Sequence, residues 1–190
     1  MSPLARACVF LALWSSIAST QTAATPAQTS AASANFAYVS DDGCVLNEVI
    51  VFASRTSVVR ADTPRITTEA TYTRYRYDYC EDADLGTDLG VTSQPVFSAD
   101  LGRASLNTTI NGHTAAGSPV TVSLVLRWEG KGDVARKTGR PQTAPAGGAK
   151  PVSTETANRA AAVTGTIDDR DISGSVAGAS LHTTRKSAAP

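Results

Sequence analysis

The clearest pattern in the chain is an alternation of apolar and polar residues near its middle. Every second position there is apolar: Val120, Val122, Leu124, Leu126 and Trp128. Successive side chains of a β-strand point to opposite faces, so this pattern predicts a strand with one face in a core.

Shorter runs of the same kind recur along the chain, separated by turn residues. The predicted strands are Phe36–Ser40, Glu48–Ser54, Ala104–Ile110, Ala161–Ile167 and Ile172–Leu181. No stretch shows the periodicity of an amphipathic helix. Short strands with regular turn signals are typical of an all-β sandwich or a closed sheet. We expect a single-domain, antiparallel β-sandwich of the Ig-like or jelly-roll-like type.

A strand rich in tyrosine is predicted from Thr67 to Cys80, where β-branched and aromatic residues dominate. Alternation puts three tyrosines on one face: Tyr75, Tyr77 and Tyr79. The opposite face receives Tyr72, Arg74, Arg76, Asp78 and Cys80. We expect the three tyrosines, called the tyrosine ladder below, to face the core. The alternative is an exposed platform for a glycan or peptide, because tyrosine rings stack on flat apolar surfaces.

The N-terminus has the form of a secretory signal peptide. Arg6 precedes an apolar run, Cys8–Ile17, which is followed by small residues. Cleavage after Ala18 fits the small-residue rule, and Ala24 is a second candidate. The apolar run is shorter than the roughly 20 residues of a membrane span. We therefore predict a signal peptide over residues 1–18, no membrane span, and a secreted or periplasmic protein.

Two cysteines, Cys44 and Cys80, survive removal of that signal. An even cysteine count in an exported chain indicates a disulfide. Two free thiols or a bridge between chains are the alternatives. An intrachain bridge would join the ends of neighbouring antiparallel strands.

Composition sets the remaining boundaries of the predicted domain. Residues 19–34 are almost entirely Ala, Thr, Ser, Gln and Pro, which predicts a disordered leader. The domain then spans residues 35–183. Within it, residues 131–156 are rich in Pro, Gly, Ala and Thr and are predicted to form a long mobile loop. Residues 184–190 form a polar tail.

Three successive motifs carry a resemblance to a known group of proteins. They are Tyr75-x-Tyr77-x-Tyr79-Cys80, Val122-x-Leu124-x-Leu126-x-Trp128-x-Gly130-x-Gly132 and Arg159-x3-Val163-x-Gly165-x-Ile167. Together they span most of the mature chain, which resembles small exported bacterial all-β proteins of no assigned function. The resemblance implies export and an all-β fold, and it brings no activity or site residue with it.

Residues able to do chemistry are sparse. His113 and His182 lie among Gly, Ala, Ser and Thr without metal-ligand spacing, and no serine-nucleophile motif occurs. The acidic run at residues 82–88 lacks the ligands of a calcium loop. Asp168, Asp169 and Asp171 could bind a cation weakly, but a solvated turn explains them equally well. We expect no metal, no cofactor and no enzymatic activity. The alternatives are a carboxylate-dependent hydrolase acting on a cell-surface polymer and a purely structural envelope protein.

Charge suggests where a partner would bind. The formal net charge is zero, which argues against nucleic-acid binding. Locally, residues 81–100 hold acids without Lys or Arg, whereas the predicted loop is basic. Its cations are Lys131, Arg136, Lys137, Arg140 and Lys150. We therefore predict an exported binding module whose basic loop, or whose tyrosine ladder in the alternative that exposes it, contacts a partner. The predicted partner is an anionic envelope polymer or another exported protein. The simpler alternative is that both charged segments are only solvated.

Overall fold

The structure is a computed structural model that describes residues 28–60, 63–139, 152–172 and 176–188. These residues form β-strands joined by short turns, without a helix. The strands are β1 (Gln28–Asp42), β2 (Val45–Arg60), β3 (Thr63–Asp78), β4 (Ala83–Ser93), β5 (Val96–Ala99), β6 (Arg103–Thr114), β7 (Pro119–Gly139), β8 (Val152–Ile167), β9 (Arg170–Asp171) and β10 (Val176–Ala188). The predicted signal peptide and most of the predicted leader lie outside the described residues.

All strand pairs are antiparallel and belong to one sheet. Its order is β10-β1-β2-β3-β4-β6-β7-β8-β9, with β5 on β6. Strand β10 also pairs with β8, so the sheet closes on itself. The all-β, antiparallel prediction is confirmed. The two packed sheets of a sandwich are not confirmed, because the described strands form a single closed sheet. None of the described residues form a helix that is long and apolar enough to cross a membrane.

Closure between β4 and β6 depends on two glycines. These strands share only the short register from Asp88–Thr114 to Gly90–Gly112. A Cβ atom at Gly112 would lie 1.9 Å from the Leu89 carbonyl oxygen, and one at Gly90 would lie 2.5 Å from Ile110 Cγ2. Only glycine permits so close an approach of two backbones.

The centre of the closed sheet is filled by large apolar side chains. Phe36 and Trp128 meet edge to face with ring centroids 6.0 Å apart. Trp128 Nε1 donates a hydrogen bond to the Asn35 carbonyl oxygen at 3.0 Å. Alternate residues of β7 are buried, as the sequence pattern predicted: Val122, Leu124, Leu126 and Trp128. This packed centre separates the two open ends of the sheet.

The predicted disulfide is present. Cys44 follows β1 and Cys80 follows β3, and their Cα atoms are 5.3 Å apart. The Tyr79 amide donates to the Cys44 carbonyl oxygen at 3.0 Å. The bridge therefore ties the β1–β2 turn to the end of β3, at one end of the closed sheet.

Several predicted irregular segments are strands. Residues 28–34 belong to β1 rather than to a disordered leader, and residues 131–139 and 152–156 belong to β7 and β8 rather than to a loop. Most of the predicted tail belongs to β10. The acidic residues 81–100, for which no element was predicted, contain β4 and β5. The small polar residues of β1 and β10 are ordered because each strand pairs on both sides, which satisfies their backbone groups.

Candidate functional site

The face of β3 that points into the closed sheet is the opposite of the predicted one. Ala70 and Tyr72 are fully buried, and Arg74 and Arg76 follow them on the interior side. The prediction that the tyrosine ladder faces the core is wrong: Tyr75 and Tyr77 are half-buried on the outer face, and Tyr79 is exposed. Arginines can occupy the interior here because β4 supplies a buried acid opposite them.

That acid is Asp88, which pairs directly with Arg74 across β3 and β4. Its side chain is 1% exposed, against 28% for Arg74. Arg74 Nε and Nη2 both donate to Asp88 Oδ2, at 2.8 and 2.5 Å. Arg76 Nη2 lies 3.8 Å from Asp88 Oδ1. A single carboxylate therefore stands between two guanidinium groups.

Three buried polar atoms near this cluster have no hydrogen-bond partner among the described residues: Tyr72 Oη, Arg76 Nε and Asp88 Oδ1. Burial raises the pKa of Tyr72 to about 12, although the neighbouring Arg74 charge lowers it. The Tyr72 hydroxyl is therefore neutral at physiological pH and able to donate a hydrogen bond. Buried polar groups usually have partners, so such a group beside a cavity is a candidate contact for a molecule that enters it.

The adjoining cavity has a volume of about 490 Å³ and opens at the disulfide-bonded end of the sheet. Its inner part is apolar and buried, formed by Val49, Ile167 and Ile172 beside Tyr72. Its outer part is polar, formed by Tyr38, Ser40, Asn47, Arg74, Asp168 and Arg170. We call it the arginine cavity. An apolar pocket with a few convergent polar groups is the usual form of a small-molecule site.

The β8–β9 turn forms one edge of the arginine cavity. Asp168 and Asp169 adopt positive φ angles of 50° and 63°. The turn is held by Asp168, whose amide donates to the Ser123 carbonyl oxygen at 2.9 Å and whose Oδ1 accepts from the Ser123 amide at 2.8 Å. These two bonds fix Asp168 and Arg170 at the mouth of the cavity.

The predicted basic site is only partly described. Lys131, Arg136 and Lys137 are exposed on β7, whereas Arg140 and Lys150 lie outside the described residues. Arg136 pairs with Glu155 at 3.1 Å and lines a second cavity of about 340 Å³ at the opposite end of the sheet. That cavity also contains Arg55 and Arg185. The structure thus brings Arg136 together with Glu155 of the predicted loop and with arginines from other strands.

The tyrosine ladder lines neither of these cavities. Tyr77 Oη donates a short hydrogen bond to Asp82, and this bond is the main cause that raises the pKa of Tyr77. The ladder is therefore part of the outer surface, next to the turn that carries Cys80.

Cys44, Asp78 and Cys80 come close enough together to resemble a metal-binding group. However, both sulfur atoms are bonded to each other. Asp78 Oδ1 accepts hydrogen bonds from the amides of Cys80 and Glu81, at 3.0 and 3.1 Å. A metal requires deprotonated thiols, so this cluster is a disulfide-bonded turn.

The arginine cavity was missed in the sequence because β4 reverses the usual alternation. Asp88 and Gly90 point inward, whereas Leu89 and Val91 are exposed on the outer face. The usual rule, in which apolar residues of a strand face the core, would place Leu89 in the core and Asp88 in solvent. One sequence signal could have revealed the inward position of Asp88. Asp88 alternates with Gly86 and Gly90, and this face lies opposite the arginines of the neighbouring strand.

No protein-family model matches the chain, and comparisons with curated proteins and with solved structures also give no match. Fold alone does not define a function. The arginine cavity therefore carries the functional argument.

Proposed function

We propose that this chain is an exported binding protein that holds a small organic molecule in the arginine cavity. The observation that carries this proposal is the Tyr72 hydroxyl, which is buried beside the cavity without a partner among the described residues. A ligand that accepts a hydrogen bond would satisfy it. Export follows from the proposed signal peptide and agrees with the disulfide, which persists in oxidising compartments.

The cavity is suited to a compact ligand rather than to a long polymer. Its volume lies within the range of about 300–1,000 Å³ typical of small-molecule sites. Its inner side is bounded by the packed centre of the sheet, in which Phe36 and Trp128 are fully buried. A ligand would enter from one end only.

The alternative function, a hydrolase, would need two carboxylates converging on one substrate. Asp168 is the only carboxylate among the described residues that line the cavity, and its Oδ1 already accepts the Ser123 amide. Asp88 is engaged by Arg74. Because both carboxylates already have partners, the site favours binding over acid–base chemistry.

A matched pair of substitutions on β1 tests the location of the site. Ser40 lines the arginine cavity, and Ser30 lines the cavity at the opposite end. Ligand-observed NMR with mixed small carboxylates, amides and amines would be recorded for the wild type, Ser40→Trp and Ser30→Trp. We expect binding to the wild type and Ser30→Trp and its loss in Ser40→Trp. Binding that survives in Ser40→Trp would contradict the proposed site.

A second candidate function is attachment to an anionic envelope polymer through the opposite end of the sheet. The observation in its favour is the grouping of Arg55, Arg136 and Arg185 around one opening. Retention of the protein on an acidic polysaccharide should fall with added salt, because exposed charges are screened beyond about 8 Å at physiological ionic strength. Equal retention of a variant with all three arginines changed to Gln would exclude it.

A further inference from the structure

We propose that the arginine cavity selects an organic monocarboxylate with a compact apolar body, held by Arg74 and Tyr72 above the apolar inner wall. This inference rests on the proposed binding function and specifies its ligand class. It depends on the charge balance of the site, on its free hydrogen-bond donors and on the nature of its walls.

The charged side chains that line the arginine cavity or stand directly behind it do not cancel. Arg74, Asp168 and Arg170 line the cavity, and Asp88 and Arg76 stand directly behind Arg74. The three arginines exceed the two aspartates by one positive charge. A ligand that fills the cavity removes water from these side chains, and an uncompensated charge is costly away from water. A ligand with one negative charge is therefore favoured. A cationic ligand would increase the imbalance.

The free donors match the two oxygens of a carboxylate in number and in hydrogen-bonding character. Within the described chain, Arg74 uses Nε and Nη2 to bind Asp88, which leaves the N–H groups of Nη1 unused. The Tyr72 hydroxyl is a second donor: Tyr72 lies two positions before Arg74 on the same face of β3, and both residues line the cavity. Asp88 holds the guanidinium in position by occupying its other edge. Charge-assisted hydrogen bonds of this kind are about twice as strong as neutral ones.

The apolar inner wall of the cavity determines which ligand body is favoured beyond the carboxylate. Val49, Ile167 and Ile172 are buried around the inner part of the cavity. A short aliphatic chain or a single aromatic ring would fill this part and remove its apolar surface from water. A phosphate dianion would carry more charge than the site can balance. A neutral sugar would leave the excess positive charge uncompensated.

The test compares three probes that share one apolar body: 3-phenylpropanoate, 3-phenylpropanamide and 3-phenylpropylamine. Each would be titrated calorimetrically into the full mature chain, and hexanoate, hexanamide and hexylamine would provide an aliphatic set. We expect each acid to bind at least tenfold more tightly than its amide, because the lost interaction is a charge-assisted hydrogen bond. The amines should show no binding.

Arg74→Gln is expected to remove the preference for the acid over the amide. Arg127→Gln, on the outer face of β7, is the matched control and should keep that preference. If Arg74→Gln does not fold, the wild-type probe series still decides the question. An amide or amine that binds as tightly as its acid would overturn the ligand class and leave the binding function intact. Failure of every probe to bind would overturn both.

Discussion

The two open ends of the closed sheet carry similar ion pairs in very different surroundings. At the arginine cavity, Asp88 is 1% exposed and its partner Arg74 is 28% exposed. At the opposite end, Arg136 is 61% exposed and Glu155 is 46% exposed. The first pair is enclosed by strands and the second is in solvent. The same type of ion pair should therefore contribute differently to the free energy of unfolding at the two ends.

This difference bears on function. An exposed ion pair contributes roughly 0–1 kcal/mol to the free energy of unfolding, so its removal changes stability very little. A buried pair is often no more stabilising than apolar residues of the same volume would be, yet removing one partner is costly. The Arg74–Asp88 pair therefore adds little stability that an apolar interior could not provide, which supports a role in binding.

Asp88→Asn should produce the largest effect at the cavity end. The substitution leaves Arg74 and Arg76 without a counter-charge and should lower the free energy of unfolding by about 3 kcal/mol, near the lower limit for a buried pair. The lower limit applies because both arginines retain partial exposure. Chemical denaturation would measure the loss. The control, Asp133→Asn on the exposed part of β7, should change stability by no more than about 0.5 kcal/mol. Equal effects of the two substitutions would contradict the contrast.

The second prediction uses pH to probe the cavity end. Burial raises the pKa of Tyr72 to about 12 from its ordinary value of 10.0. Because the folded state holds this proton more tightly than the unfolded chain, ionisation of Tyr72 does not affect the free energy of unfolding below pH 10. It lowers the free energy of unfolding as pH rises from 10 through 12. The loss should be on the order of 2–3 kcal/mol. It is measured as the difference in unfolding free energy between the wild type and Tyr72→Phe across this range. A constant difference would show that the hydroxyl is not buried.

The opposite end should give the smallest effect. Arg136→Gln and Glu155→Gln, singly or together, should each change the free energy of unfolding by less than about 1 kcal/mol. Added salt should reduce even that difference. A loss comparable to that of Asp88→Asn would mean that the exposed pair is part of a larger buried network.

Sequence patterns predicted the all-β class, the disulfide and the buried face of β7. The last of these was clear because Val122, Leu124, Leu126 and Trp128 are unambiguously apolar. In contrast, Tyr and Arg are both amphipathic, so alternation on β3 could not show which side faces inward. The deciding residue, Asp88, lies on another strand and is recognised only through the β3–β4 register.

The strand ends show a second limit of local patterns. Residues 28–34 contain only Gln, Thr, Ser and Ala, mostly weak strand formers, and yet they pair with β2 and β10. Their order comes from β2 and β10, which are distant in sequence. Such tertiary pairing overrides local propensity. The same effect extends β7 and β8 beyond the boundaries that composition suggested.

Calorimetric titration of Tyr72→Phe with 3-phenylpropanoate tests most directly whether the arginine cavity is a binding site. The substitution removes only the hydroxyl, which has no partner among the described residues, so the folded state should not be destabilised. Its affinity for the probe should fall about three- to tenfold, which corresponds to one lost hydrogen bond. A stable variant that binds 3-phenylpropanoate with wild-type affinity would contradict the proposed role of Tyr72 and of the cavity beside it.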